Sequence, residues 1–220
     1  MHYTLANLRF LLILIAAFLF FLSSKVIAGV QDDFFWAIDK DKGNLAEASQ
    51  LLKKGANPDT PNMQGYTPLM VAAQTGNLEL TQILLAAGAN PNIRNQYNET
   101  AIMLASYHGQ TEMVKQLYIK GAEINHSGWN PLLYAASGGH SDIIRLLLAG
   151  GADINATSDN GTTPLMMAVR GNHLDAVTLL LNSGADPAIK NEQGDNALAW
   201  AEKRDHQAIV KFLKNHNASK

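Results

Sequence analysis

The sequence predicts an all-α repeat solenoid of stacked helix-turn-helix units with β-hairpin or loop arms, because two markers run through it in step. Gly-Ala pairs begin at Gly55, Gly88, Gly121, Gly151 and Gly184, spaced 33, 33, 30 and 33. The second marker is Thr67-Pro68-Leu69, Thr100-Ala101-Ile102, Asn130-Pro131-Leu132, Thr163-Pro164-Leu165 and Asn196-Ala197-Leu198, spaced 33, 30, 33 and 33. Both markers share one period and one three-residue deletion, so they belong to one repeating unit.

Residues 161–193 show how a unit is built. Thr163 can cap a first helix and Pro164 can occupy its first position, where a missing N–H is harmless. Gly171 and Asn172 are expected to end that helix through left-handed backbone angles. A second helix follows, with Ala176, Val177, Leu179, Leu180 and Leu181 forming a broad apolar face. Gly184 stops it. Asp186-Pro187 and the polar run Lys190 to Gln193 then predict an extended arm with a turn at its tip.

With its Thr-Pro-Leu starts, Leu-rich second helices and Gly-Ala stops, the chain resembles the ankyrin-repeat family over residues 31–220. The small pairs Ala72-Ala73, Ala105-Ser106, Ala135-Ala136 and Ala168-Val169 fit close stacking of first helices. Three departures stand out. The histidine usual after Thr-Pro-Leu is replaced by Met70, Met103, Leu133, Met166 and Ala199, exchanging hydrogen bonds for apolar packing. The first unit opens instead with Asp32, Asp33, Phe34, Phe35 and Trp36, as a diverged cap. The arm between Gly121 and Asn130 is three residues short, which makes it a candidate for function. A domain over 29–220 then divides into units at 31–64, 65–97, 98–127, 128–160, 161–193 and 194–220. Lys203, Arg204, Asp205, Lys211 and Lys214 suit the last unit to an end of the stack that faces water.

Ahead of this domain, residues 1–28 have the three parts of an export signal. Arg9 is the positive start, Phe10 to Leu22 an apolar run of 13 residues, and Val26-Ile27-Ala28 offers small residues to a signal peptidase. A membrane-spanning helix needs about 20 apolar residues. An uncleaved anchor is the alternative if Lys25 snorkels, but the well-formed end of the segment favours cleavage after Ala28. Removing Arg9 and Lys25 leaves 15 basic residues against 19 acidic ones. That mild acidity offers no basic footprint for nucleic acid. Cysteine is absent, which excludes disulfides, thiolate metal sites and a cysteine nucleophile, and with export it points to a bacterial periplasm.

No catalytic or cofactor motif emerges. His140, His173 and His206 recur at 33 residues, the turn position of the repeat, and are assigned to structure. His108 and His126 lie near Glu112 and Glu123 in sequence, without metal-ligand spacing. Nucleophile elbows, phosphate loops, zincin motifs and dinucleotide fingerprints do not occur. Neither an enzyme, a cofactor nor a metal is expected.

The resemblance implies a concave side, formed by arms and first helices, where partners bind. Gln64, Tyr66, Tyr97, Glu99, Ser127, Trp129, Asn160, Thr162, Gln193 and Asp195 fall around the arm tips and starts. Gln74, Tyr107, His108, Tyr134, Ser137, Met167, Arg170, Lys203 and Arg204 are assigned to the exposed side of the first helices. Large amphipathic rings are the usual anchors of protein interfaces. The expected protein-binding residues are therefore Tyr66, Tyr97, Tyr107, His108, Trp129, Tyr134 and Arg170, with some rings alternatively serving only the stack. The expected function is a periplasmic protein-interaction module acting on an envelope protein as scaffold, inhibitor or protector. A stress-protective accessory without a tight complex is the alternative. One protein partner, a monomeric chain, no nucleic acid and no membrane span after signal removal complete the expectation.

Overall fold

The computed structural model describes residues 29–38 and 44–218. The export signal expected over 1–28 lies outside the described residues. Those residues form twelve helices in six consecutive pairs and no strand. The pairs are α1 (29–38) with α2 (Leu45–Lys53), α3 (Pro68–Thr75) with α4 (Leu78–Ala86), and α5 (Ala101–Tyr107) with α6 (Thr111–Ile119). They continue as α7 (Pro131–Gly138) with α8 (Ser141–Ala149), α9 (Pro164–Arg170) with α10 (Leu174–Asn182), and α11 (Ala197–Lys203) with α12 (Gln207–Ala218).

Each helix boundary follows from the residue found there. The Thr67 and Thr163 hydroxyls accept the N–H groups of Met70 and Met166 at 3.3 Å. Asn130 accepts from Leu132 and Leu133, and Asn196 from Ala199, so four of the five first-helix markers are caps for otherwise orphaned donors, while the Thr100 hydroxyl is buried without a partner. From α3 to α11 the first helices end beside one left-handed residue, namely Gly76, Gly109, Gly139, Asn172 or Asp205. Of the two residues expected to end α9, only Asn172 does so this way, at φ +59°. Gly171 stays right-handed at φ −81°. The Gly-Ala marker ends second helices: at φ +98° Gly184 reverses the chain, and the Ala185 N–H reaches back to the Leu180 carbonyl at 2.9 Å. Ala56, Ala89, Ala122 and Ala152 bond in the same way to Leu51, Leu84, Leu117 and Leu147, the six-to-one closure of a Schellman motif.

Packing runs between neighbours. First helices stack on first helices from α3 to α11, and second helices stack on second helices from α2 to α12. Ala72, Ala73, Ala105, Ala135, Ala136, Ala168 and Val169 are all fully buried, so small side chains do set the close approach. Met70, Met103, Leu133 and Met166 are likewise sealed in the core, replacing polar contacts with apolar ones. Phe34, Ala37 and Ile38 close the first end of the core, while Ile209, Val210 and Leu213 of α12 close the last.

The recurring histidines tie the units together. His140 Nε2 donates to the Tyr107 carbonyl at 2.8 Å, His173 Nε2 to Ser137 at 3.0 Å, and His206 Nδ1 to Val169 at 2.8 Å. A carbonyl only accepts, so that ring nitrogen carries the proton in each case. Each imidazole thus satisfies a carbonyl at the end of the preceding unit's first helix, the group a helix C-terminus leaves unpaired.

The arms take the loop form. Each full-length tip is closed by two backbone bonds: the N–H of Asn62, Asn95, Ser158 or Asn191 donates to the carbonyl of Tyr66, Glu99, Thr162 or Asp195, and the backbone carbonyl of the same residue accepts from Gly65, Asn98, Gly161 or Gly194. Within three of these tips an asparagine carbonyl, that of Asn62, Asn95 or Asn191, accepts two further N–H groups. Between arms, side chains replace the ladder that strands would make. Asp59, Asn92, Asn125 and Asn155 accept the N–H groups of Asn90, Glu123, Asp153 and Asp186 at 2.8–3.0 Å. The short arm keeps its member of this ladder, Asn125, but the deletion removes the tip asparagine.

Candidate functional site

Along the side formed by the arms and first helices, the short arm brings aromatic residues together. Trp129 ends that arm one residue before the cap Asn130 and lies 5.3 Å from the Tyr134 ring, tilted by 60°. Tyr134 stands on the first turns of α7 and meets Tyr107 of α5 edge-on at 6.2 Å. Tyr107 in turn meets His108 at 5.3 Å. Such tilted and edge-to-face contacts suit the ring quadrupoles. The Tyr134 hydroxyl donates to Glu99 Oε1 at 2.8 Å across one unit boundary. Burial first, then that hydrogen bond, holds the Tyr134 phenol well above its ordinary range. Burial raises the Tyr66 phenol as well, Glu99 adds to the rise and Gln74 opposes it.

Five of the expected residues are therefore linked: Trp129, Tyr134, Tyr107 and His108 through successive ring contacts, and Tyr66 with Tyr134 through Glu99. Exposure is unequal among them. Trp129 is 36% and Tyr107 48% exposed, whereas Tyr66 and Tyr134 are half-buried. Tyr97 is 64% exposed at its arm tip, and Arg170 is exposed at the end of α9.

Two residues assigned to this surface are inside. Met167 is 2% exposed because its helix position, shared with Val71, Leu104, Tyr134 and Trp200, faces inward. Only the rings of that column, Tyr134 and Trp200, are large enough to emerge. Thr162 is also 2% exposed, its hydroxyl turned back onto Asn160 Oδ1 at 2.8 Å.

A second grouping joins four residues assigned to this side by sequence with Trp200, which was not. Trp200, Gln193, Asp195, Lys203 and Arg204 line a cavity at the last unit. Arg204 lies 5.7 Å over the Trp200 ring, and Lys203 pairs with Asp195. The signal was available in the repeat register, since Trp200 aligns with Tyr134. Its cations already have partners within the chain. Among the described residues no three His, Asp or Glu side chains converge as metal ligands would.

His126 on the short arm gives a pH prediction. Its Nε2 is buried without a hydrogen-bond partner. Burial holds its imidazole below the ordinary value of 6.5, Arg94 pushes the same way, and the Ser127 carbonyl and Glu123 oppose. The unfolded imidazole therefore takes a proton that the folded one resists. Stability attributable to this site is full above pH 6.5 and falls as pH drops below it. Urea midpoints at pH 7.5 and 5.5 should converge for His126→Gln relative to wild type. An identical pH slope in the two proteins would remove His126 as the cause.

Fold and site together define a helical repeat solenoid with an aromatic face. A family model described as Ankyrin repeats (3 copies) matches residues 34–127, 102–191 and 132–220, so the chain belongs to the ankyrin-repeat family. Ankyrin-repeat proteins are generally non-enzymatic binding scaffolds, and the repeats suggest a protein–protein interaction module. No curated protein matches the chain.

Proposed function

We propose that this protein is a non-enzymatic interaction module of the bacterial periplasm, exported on a signal cleaved after Ala28 and binding an envelope protein as scaffold, inhibitor or protector. The observation that carries the binding reading is the aromatic patch centred on Trp129 and Tyr134. Rings of this size are not needed to close the stack, since Leu104 and Met167 fill the same helix position while buried. A partly exposed tryptophan paired with a tyrosine resembles the anchors around which interfaces form. Export rests on the charged, apolar and small-residue order of residues 1–28.

The immobilised mature protein is expected to retain one envelope protein from periplasmic extract in stoichiometric amount. Retention of no such species would overturn the binding reading. Mass analysis of osmotic-shock fluid should give a chain beginning at Gly29. A membrane-bound product that keeps Met1 to Ala28 would overturn the export reading.

A further inference from the structure

Glu99 carries a charge that the chain itself does not answer. Its Oε1 accepts from the Tyr134 hydroxyl and its Oε2 from Asn95 Nδ2, both at 2.8 Å. Its own N–H is fixed on Asn95 Oδ1 at 2.9 Å. Every one of these donors and acceptors is neutral. Arg94, the basic residue of the same arm, turns instead to Asn98 Oδ1. The ion pairs among the described residues are Lys115–Glu112, Arg145–Asp142, Lys203–Asp195 and Lys214–Glu202, and none includes Glu99. The carboxylate is thus held rigidly, half-buried, by polar groups that leave its charge whole.

The surroundings add to its pull. Tyr134, bonded to it, has the Trp129 ring 5.3 Å from its own, and aromatic faces attract cations. On the far side of the short arm, Asp159 places Oδ1 2.7 Å from where a Cβ on Gly128 would lie, next to Trp129 in sequence. Asp159 forms no ion pair among the described residues either. The three-residue deletion thus leaves Trp129 on a shortened arm, flanked by arms that each contribute a carboxylate, Glu99 before it and Asp159 after it.

Resting on the interaction-module reading, we propose that the gap at the short arm receives an arginine side chain of the partner protein, its guanidinium laid against Trp129 and Tyr134 and paired with Glu99. Charge and shape both select this occupant. A guanidinium is planar and weakly hydrated, so it stacks on a ring face while donating in its own plane. Each Glu99 oxygen has one intramolecular donor and retains capacity for another. The compact ammonium of lysine is more strongly hydrated and cannot stack, so it fits the same carboxylate less well. Glu99 fixes the place of the charge and the rings fix the plane.

The test titrates N-acetyl-arginine amide into the mature protein while following the Trp129 indole N–H resonance, assigned with Trp129→Phe. N-acetyl-citrulline amide has nearly the same shape without the charge, and N-acetyl-lysine amide has the charge without the plane. A saturable shift with the arginine amide is expected, with affinity at least tenfold weaker for citrulline and measurably weaker for lysine. Glu99→Gln should lower the arginine affinity at least tenfold with a melting temperature close to wild type. Because the amide comparison uses the wild-type chain, it stands even where Glu99→Gln folds poorly. Equal response to citrulline, absence of saturation, or full affinity in a folded Glu99→Gln would overturn the proposal. Lysine binding as tightly as arginine would overturn the choice of arginine. The two readings fail separately. A partner retained equally by wild type and Glu99→Gln sinks the arginine subsite and leaves the module, whereas a saturable arginine response with no partner in the extract sinks the module alone.

Discussion

Leu147→Ala is expected to lower the unfolding free energy by about 2–5 kcal/mol. Leu147 is fully buried in α8, and that helix packs against α6 on one side and α10 on the other. A solenoid has no distant core from which to recruit replacement atoms, since each unit buries its apolar face only against its neighbours. Truncation at a central unit therefore opens a cavity bordering two unit interfaces. The Leu147 carbonyl also accepts the Ala152 N–H that turns the chain out of α8, so the backbone there is poorly placed to collapse inward. Leu146, only partly buried on the same helix, provides the comparison: its truncation should cost clearly less. Urea unfolding of both variants measures the difference. A Leu147→Ala midpoint equal to wild type would refute the packing described for α8.

Features set by local backbone chemistry were legible in the sequence. Gly-Ala recurs because the glycine takes a left-handed angle and the alanine N–H closes the helix end, requirements shared by the first five units. Thr-Pro-Leu and its variants recur because Thr or Asn can cap a first helix and proline fits its first turn, as at Thr67, Asn130 and Thr163. Positions with more than one chemical solution were harder to read. Asn172 and Asp205 do the work that Gly76, Gly109 and Gly139 do elsewhere, so a search for glycine alone sees an incomplete column. Asp59, Asn92, Asn125 and Asn155 form the ladder between arms, but singly each looks like ordinary turn composition.

The candidate site was legible in its members more than in its arrangement. The short arm and its tryptophan are visible as a deletion and a residue type. That Tyr134 reaches back 35 residues to Glu99 is a tertiary fact, and it turns Glu99 from one polar arm residue among several into the centre of the patch. Met167 was misplaced because exposure at its helix position depends on side-chain size. Val71, Leu104 and Met167 are small or flexible enough to be enclosed, and the tyrosine and tryptophan of the same column are not.

Trp129→Ala is expected to weaken binding of the captured partner more than tenfold while leaving the melting temperature nearly unchanged. Truncating a buried aromatic anchor typically costs about 2 kcal/mol or more, and each decade of affinity corresponds to about 1.4 kcal/mol. The effect on folding should be smaller. Trp129 makes its ring contact with Tyr134 and leaves 36% of its surface open, and such an aromatic pair contributes about 0.5–1.5 kcal/mol beyond its buried area. Tyr134 does not depend on that contact for its position, because its hydroxyl stays bonded to Glu99 and its helix remains capped by Asn130. Trp129→Phe should fall between wild type and alanine, retaining a ring face with less area. The measurements are partner affinity and a melting curve for each variant. Full affinity in a folded Trp129→Ala would place the interface elsewhere on the stack. A large fall in melting temperature with affinity unchanged would make Trp129 a packing residue, and the face around it would lose its anchor.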